Sequence, residues 1–402
     1  MYTDLVPRDG RGEKMYTVRL KKNEEKRILA GHGWVYANEV ASVGGKDKNG
    51  SLCVVTDYDG RFIGKGYINH LSKILVRIFL RNENATDDRE FYLETIKRAW
   101  NYRRNLGYEN SCRVVFAEAD GLPALIVDKY ADVLSVQFLS LGIDRKKELV
   151  ADCLKEIFNP RAIYERSDVA VRSKEGLPEV KGLIFGELPD EIIINENGVK
   201  MCVDVVNGQK TGYFLDQKEN RLAARKYFRT DSVLDCFCNC GGFAMNAALS
   251  AEKVIAADIS PVALAEVRKN AELNGFNNIK TIEGNVFDLL RNYRTEKRTF
   301  GTIVLDPPAF CKSADEVKDA YRGYKDINIQ AMKLVKSGGF LISSSCSHYM
   351  TFPLFEKMLR EAAAASGRNV RFVEIRSQAS DHPSLLSAEE TRYLKFFVLN
   401  IM

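Results

Sequence analysis

"SVLDCFCNCGGFAMNAALSAEKVIAADISPVALAEVRKNAELNG", residues Ser232–Gly275, is the stretch whose reading decides the fold. "SVLDCFC" has the short apolar run of a buried strand, "GFAMNAALS" the composition of a helix, and "KVIAADI" the pattern of a second strand. The next helix, "SPVALAEVRKNAELNG", is punctuated at both ends: Ser260 is placed as N-cap, Pro261 at the first helical position and Gly275 just past the last turn. Strand, helix, strand and helix in so short a span call for parallel strands joined by crossover helices, which is a doubly wound α/β sheet.

The alternation continues toward the C-terminus. "IKTIEG", "GTIVLD" and "GGFLISSSC" read as strands, with "VFDLLRNY", "SADEVKDAYRGYKDINIQAMKLV" and "TFPLFEKMLREAAAAS" as their helices. The last two strands, "NVRFVEI" and "RYLKFFVLN", have no helix between them, so the closing pair should include an antiparallel strand. Toward the N-terminus the pattern differs. Residues 15–80, a module opened by the charged segment "KKNEEKRILAG", read as short strands and turns, with a turn signal at Asp59-Gly60. "REFYLETIKRAWNYRRNL" then has the apolar spacing of an amphipathic helix, and strands "ALIVDKY" and "VLSVQFL" and the helix "DRKKELVADCLKEIF" follow. Three domains are expected, over residues 15–85, 86–202 and 203–402, in keeping with a chain of 402 residues. Met1-Tyr2-Thr3 recurs as Met15-Tyr16-Thr17, and "LVPR" looks like a protease-site tag, so Met15 is the expected natural start.

Composition narrows the class. No apolar run approaches the ~18–20 residues of a membrane span, and the polar first residues do not form a signal peptide, so a soluble, cytoplasmic protein with no membrane partner is expected. Nine cysteines, an odd number, sit mostly in apolar segments such as those of Cys53, Cys153 and Cys202, which argues for buried thiols rather than disulfides. The net charge of +5 is too mild to imply nucleic acid by itself, yet Arg61–Arg104 carries ten Lys/Arg against five Asp/Glu, an excess equal to that of the whole chain.

In an open α/β sheet, ligands bind beyond the carboxyl ends of the strands where the strand order reverses. "DCFCNCGGF" lies at such an end, with Gly241-Gly242 allowing close backbone approach and a helix start offering N–H groups. The second strand ends in Asp258, 23 residues after Asp235, where a carboxylate can take both ribose hydroxyls of a nucleoside. NAD and S-adenosylmethionine fit that carboxylate equally. A pyrophosphate cradle, however, needs G-x-G-x-x-G, and "CNCGGF" does not supply it. Cys236, Cys238 and Cys240 do not make a metal site: on an extended chain Cys238 faces away from the other two, and structural zinc wants four ligands. Two further strand ends carry chemistry. "VLDPPAFCKS" presents Asp306 on backbone stiffened by Pro307-Pro308, and "LISSSCSHYM" presents Cys346 among serines with His348 two residues on, a polar setting that suits a thiolate nucleophile. Neighbouring strands lie about 5 Å apart, so Asp306 and Cys346 should face one pocket.

With these residues assembled, the chain resembles the bacterial class I methyltransferases that make 5-methylcytosine in 23S ribosomal RNA. Those enzymes are built as a PUA domain, a central α/β domain and a catalytic domain. The resemblance is carried by "GHGWVYANEV", "AEADGLPALIVDKY", "IYERSD", "GQKTGYFLDQKENR", "LDCFCNCGGF", "DPPAF", "RGYKDIN" and "SCSH", in that order along nearly the whole chain. It implies an N-terminal PUA-like β-barrel, a central α/β domain and a C-terminal Rossmann-like sheet of seven strands, with S-adenosylmethionine as cofactor and RNA as partner. By the same resemblance Asp216, Gln217 and Arg221 line the cofactor, and Asp235, Phe237, Asn239, Gly241, Asp258, Ile259, Val286 and Asp306 contribute to its site. Asn285 stands where the family more often has Asp near the adenine amino group.

Cys346 matches the nucleophile position, while Ser344 replaces a cysteine that relatives often carry two residues earlier. Cys311 is displaced from the place of the second thiol used by related enzymes, which carry it directly after the first proline of this motif, where this chain has Pro308. The implied reaction is cytosine C5 methylation through a Cys346 adduct, with Asp306 steadying the base. Methylation of an exocyclic amine, and an RNA-binding assembly factor without turnover, are the rival readings; a homodimer is an open assembly state.

Overall fold

The computed structural model describes residues 16–45, 49–311 and 313–402. Met15 and the residues before it, including the repeated Met-Tyr-Thr and the "LVPR" segment, lie outside the described residues. The chain forms two compact units that interleave along the sequence. One takes the chain up to Ile192 with Val203–Phe214 and Asp381–Thr391; the other takes Ile193–Cys202, Leu215–Ser380 and Arg392–Met402.

The first unit holds two sheets. Six short strands from Tyr16–Leu20 to Ile74–Leu80 form the N-terminal sheet, largely antiparallel, with Tyr16–Leu20 parallel to Leu52–Thr56. Its core is Val18, Leu20, Val35, Val55, Ile68 and Val76, the inward-facing positions of alternating strands. A five-stranded sheet follows, from Ser111–Phe116 at one edge to Val180–Gly186 at the other. The helices Arg89–Asn105 and Lys147–Phe158 bury Tyr92, Ile96, Val150 and Leu154 in the same core as this sheet. The first of them begins where the Asp88 side chain accepts from the Phe91 backbone N at 3.0 Å, satisfying one of the N–H groups a helix start leaves open.

The second unit is the alternating unit read from the sequence. Its strands are β1 (Ser232–Cys236), β2 (Lys253–Asp258), β3 (Ile279–Glu283), β4 (Phe300–Leu305), β5 (Val335–Ser345), β6 (Val370–Arg376) and β7 (Lys395–Ile401). Its helices are α1 (Gly242–Ala248), α2 (Pro261–Leu273), α3 (Val286–Thr295), α4 (Val317–Leu334) and α5 (Phe352–Ser366). The sheet order is β3-β2-β1-β4-β5-β7-β6. β1 to β5 run parallel, and β7 is antiparallel to both β5 and β6, the arrangement the missing crossover requires. The strand order reverses between β1 and β4, so the carboxyl ends of these two strands flank the crevice where such folds take ligands.

Local chemistry explains the helix boundaries. Ser260 Oγ accepts from Ala263 N, Pro261 opens α2, and Gly275 follows it at φ +69°, where a side chain would be strained. Thr351 caps α5 in the same way. The central strands are apolar on both faces, and Leu234, Cys236, Ile303, Leu305 and Leu341 join Tyr324, Ile327, Met332 and Phe355 from the helices in one core. Among the described residues no helix is long and apolar enough to cross a membrane.

Candidate active site

The site is built at the carboxyl ends of β1, β2, β4 and β5. β1 carries Asp235 into the interior, where its residue is only 1% exposed. Oδ2 accepts from Ala244 N of α1 at 2.9 Å, while Oδ1 is buried with no hydrogen-bond partner among the described residues. Burial, and then the nearby charge of Asp306, push the Asp235 carboxyl well above the usual range. An acceptor so placed wants a donor, and a cationic donor best.

The loop after β1 is not extended. The strand ends at Cys236, and Phe237, Asn239 and Gly241 all adopt left-handed backbone, at φ +60°, +48° and +86°. The expectation that Cys238 faces away from Cys236 and Cys240 on an extended chain is therefore corrected: the turn begins one residue after Cys236. Asn tolerates this region and Phe does so rarely, so the conformation is held by its contacts. Those contacts are Cys238 N to Ala257 O at 3.1 Å, Gly241 N to Cys238 O at 2.8 Å, and Asn239 N to Asp258 Oδ2 at 3.0 Å. Burial pushes the Cys236 and Cys238 thiols up, and that of Cys240 to about 12, so these thiols stay protonated. A Cβ on Gly241 would lie 3.1 Å from Val267, and one on Gly242 2.9 Å from the Arg221 side chain, so both glycines let the loop seat against the protein behind it.

Asp258 ends β2, and its second oxygen accepts from Ser260 N at 3.0 Å. Each carboxylate oxygen has a further lone pair available for a ligand hydroxyl. Ile259 beside it is exposed, and Val286 is buried at the start of α3. Asn285 is the N-cap of α3, its Oδ1 accepting from Phe287 N at 2.9 Å.

Asp216 and Gln217 lie on the short turn Leu215–Gln217. Gln217 Nε2 donates to Asp306 Oδ1 at 2.9 Å, and Tyr393 Oη donates to Asp216 Oδ2 at 2.7 Å. Arg221 is held by a carboxylate of its own. Its Nε and Nη2 donate to the two oxygens of Glu196 at 2.6 and 2.7 Å, a bidentate pair almost completely buried. Asp306 follows β4, and Phe310 of the same segment packs between Phe237 of the first loop and Tyr324 of α4, at ring distances of 6.2 and 4.6 Å.

Cys346 follows β5, the strand hydrogen-bonded to β4. Of the nine cysteines, only Cys240 and Cys346 are partly exposed, and burial holds the Cys240 thiol up at about 12. The turn around Cys346 is fixed by hydroxyls: Ser345 Oγ and Ser347 Oγ each lie 3.0 Å from Tyr324 Oη. Cys311 is buried, its N donating to Ser347 Oγ at 3.3 Å and its thiol to Ser313 O at 3.0 Å. His348 is exposed, its ring against Tyr349. Among the described residues no group of three His, Cys, Asp or Glu side chains could hold a metal ion.

Four residues at this site escaped the sequence reading. Glu196 and Tyr393 act through partners remote in sequence, and Asn220, whose Nδ2 donates to Gln217 Oε1 at 2.7 Å, carries no local signal. Lys395, buried in "YLKFFVLN", did carry one: a lone cation in an apolar strand.

Comparison with known proteins bears on the family and the fold. A family model for a PUA-like domain matches residues 18–81, and a model described as RNA cap guanine-N2 methyltransferase matches residues 230–336. A protein of Shewanella amazonensis named ribosomal RNA large subunit methyltransferase I is 44% identical over 391 residues, covering 96% of this chain and 99% of its own. One of the same name from Aeromonas salmonicida is 42% identical over 393 residues, covering 95% and 98%. A candidate SAM-dependent methyltransferase from Streptococcus mutans shares the fold with a TM-score of 0.83 at 19% identity, covering 96% of this chain and 100% of its own. A related crystal structure complexed with SAH gives 0.84 at 18% identity, with the same coverage. The expected architecture, an α/β methyltransferase fold with an N-terminal PUA-like barrel, is thus observed.

Proposed function

The chain belongs to the ribosomal RNA large subunit methyltransferase I family, and we propose that it forms 5-methylcytosine in 23S ribosomal RNA through a covalent adduct on Cys346. Its cofactor is S-adenosylmethionine. The residues present suit that molecule: the buried, partnerless Oδ1 of Asp235 would receive the α-ammonium, and the open lone pairs of Asp258 the ribose hydroxyls. Phe237, Asn239, Gly241, Ile259, Asn285 and Val286 would complete the site, with Asp216 and Gln217 on the facing turn and Arg221 bracing the loop through Gly242. When bound, the cofactor supplies a methyl group activated on a sulfonium.

The observation that carries the reading is Cys346, a partly exposed thiol at the end of the strand paired with the one that ends in Asp306. Cytosine C5 is too poor a nucleophile to accept a methyl group unaided. Addition of the Cys346 thiolate to C6 forms an S–C6 bond and moves the C5–C6 π pair onto C5, which is then enamine-like. Once C5 carries the methyl group, loss of its proton restores the double bond and expels the thiolate. Asp306, as the acid, steadies the N3/N4 edge of the base while charge develops there, and Gln217 fixes its orientation. The base must be unpaired or flipped out. The PUA-like domain of residues 15–85 and the exposed cations of the basic Arg61–Arg104 stretch would grip phosphates, Arg77 and Arg103 being committed to carboxylates of the protein itself, in a chain completed by a central domain of 86–202 and a catalytic domain of 203–402.

The test is covalent trapping. RNA carrying 5-fluorocytosine should accumulate a stable protein adduct that Cys346→Ala abolishes together with product; full activity of that variant would sink the reading. A second reading, methylation of an exocyclic amine, is favoured by the guanine-N2 methyltransferase model over residues 230–336. It needs no adduct and would leave Cys346→Ala active.

A further inference from the structure

We propose that Lys395 is a positioning residue for this chemistry: its buried ammonium braces the turn that carries Cys346 and supplies the positive charge that stabilises the Cys346 thiolate. The inference rests on the reading of Cys346 as the nucleophile.

Lys395 opens β7, and in the antiparallel register it sits opposite Ser345, the residue before Cys346. It is 1% exposed. Its Nζ donates to Ser347 O and to Tyr393 O, both at 2.6 Å. Two of the three N–H donors are thereby used on neutral carbonyl oxygens, and among the described residues no carboxylate lies within ion-pair distance of Nζ. A buried ammonium without an anion is costly, and buried charges are ordinarily paired. Tyr393, whose carbonyl takes one of these N–H groups, donates its hydroxyl to Asp216 Oδ2 at 2.7 Å.

The anion is the thiolate of Cys346, one residue from Ser347, whose carbonyl holds Lys395, and one residue from Ser345, which faces Lys395 in the strand register. Burial pushes Lys395 down to about 8, and the Cys346 side chain acts in the opposite direction and raises it. Such coupling is reciprocal: a group that favours the charged lysine is itself favoured as an anion by that lysine. The other titratable groups around Cys346 are Tyr324 of α4, held by the Ser345 and Ser347 hydroxyls, Cys311, whose thiol is committed to Ser313 O, and His348, two residues on, which is exposed with its ring against Tyr349. None of these is a buried cation. On deprotonation the thiol proton passes to solvent, and the third N–H of Lys395 serves the sulfur anion.

The experiment follows alkylation of Cys346 by iodoacetamide, read by peptide mass spectrometry from about pH 6 to about pH 10, on the full chain and its Lys395→Met and Lys395→Arg variants. Thermal melts and S-adenosylmethionine binding report that each variant is folded. Wild type and Lys395→Arg should keep a low midpoint, while Lys395→Met should alkylate about tenfold more slowly at pH 7. Its methylation kcat should fall in parallel and recover at higher pH, which a merely structural loss would not do. A Lys395→Met profile superimposed on wild type overturns the proposal. If Lys395→Met does not fold, the wild-type midpoint decides: a value at the ordinary thiol pKa of about 8.5 overturns it, and a lower one shared by Lys395→Arg supports it. Full methylation by Cys346→Ala would instead overturn the underlying nucleophile reading, whatever the alkylation profiles show.

Discussion

Replacing Asp235 by Asn should stabilise the free protein and weaken its cofactor binding, two effects of opposite sign arising from one carboxylate. Asn keeps the shape, and its carbonyl oxygen can accept from Ala244 N as Oδ2 does now, at 2.9 Å. The amide then occupies the place of Oδ1, the buried oxygen with no partner, and removes a negative charge from beside Asp306 and Asp258. The amide nitrogen is no better partnered there than the oxygen it replaces, so the gain in the free protein, about 1–2 kcal/mol, comes from removing a carboxylate charge that burial and Asp306 disfavour. With cofactor present, a charge-assisted hydrogen bond to an ammonium is lost, worth about 1.5–3 kcal/mol, which raises Kd roughly ten- to a hundredfold.

The pH dependence has a definite sign. Asp235 titrates well above the usual carboxyl range in the folded protein, so the folded form retains a proton that the unfolded form releases from about pH 4 upward. The wild type therefore loses stability as pH rises from there through the raised folded value, and Asp235→Asn does not. Scanning calorimetry across that range and isothermal titration with S-adenosylmethionine read both effects. A variant with a lower Tm at every pH and an unchanged Kd would refute the reasoning.

Three further substitutions test other parts of the site. Asp258→Ala frees Asn239 N and Ser260 N as well as the ribose contact, and titration calorimetry should show cofactor affinity falling by at least tenfold; an unchanged Kd would count against the ribose role. Asp306→Asn should lower the single-turnover rate by about 10²–10³ with only a small change in cofactor Kd, and a normal rate would remove Asp306 from the chemistry. Glu196→Ala deprives the buried Arg221 guanidinium of its bidentate carboxylate and should cost about 3–5 kcal/mol in a denaturant melt, whereas an unmoved midpoint would show the pair to be dispensable.

The alternating unit was readable because its signals are local. Ser260, Pro261 and Gly275 each act within one helical turn of where they stand, and the apolar runs of β1 to β5 mark a sheet buried on both faces. The placing of Asp235, Asp258, Asp306 and Cys346 at or just past strand ends was legible for the same reason, since strand ends announce themselves. What stayed hidden depends on pairing across the chain. Glu196 meets Arg221 25 residues on, Tyr393 meets Asp216 across 177, and Asp381–Thr391 joins the first unit although the residues on both sides belong to the second. The left-handed turn at Phe237 was equally silent, because nothing in a Phe foretells a conformation that only its surroundings enforce.

The most direct test of the central claim is the chemical identity of the product. The purified chain, incubated with unmodified 23S ribosomal RNA and methyl-labelled S-adenosylmethionine, should yield label in 5-methylcytidine on nucleoside mass spectrometry, and Cys346→Ala should yield none. Label on an exocyclic amine of cytosine or guanine, or full labelling by Cys346→Ala, would contradict the account.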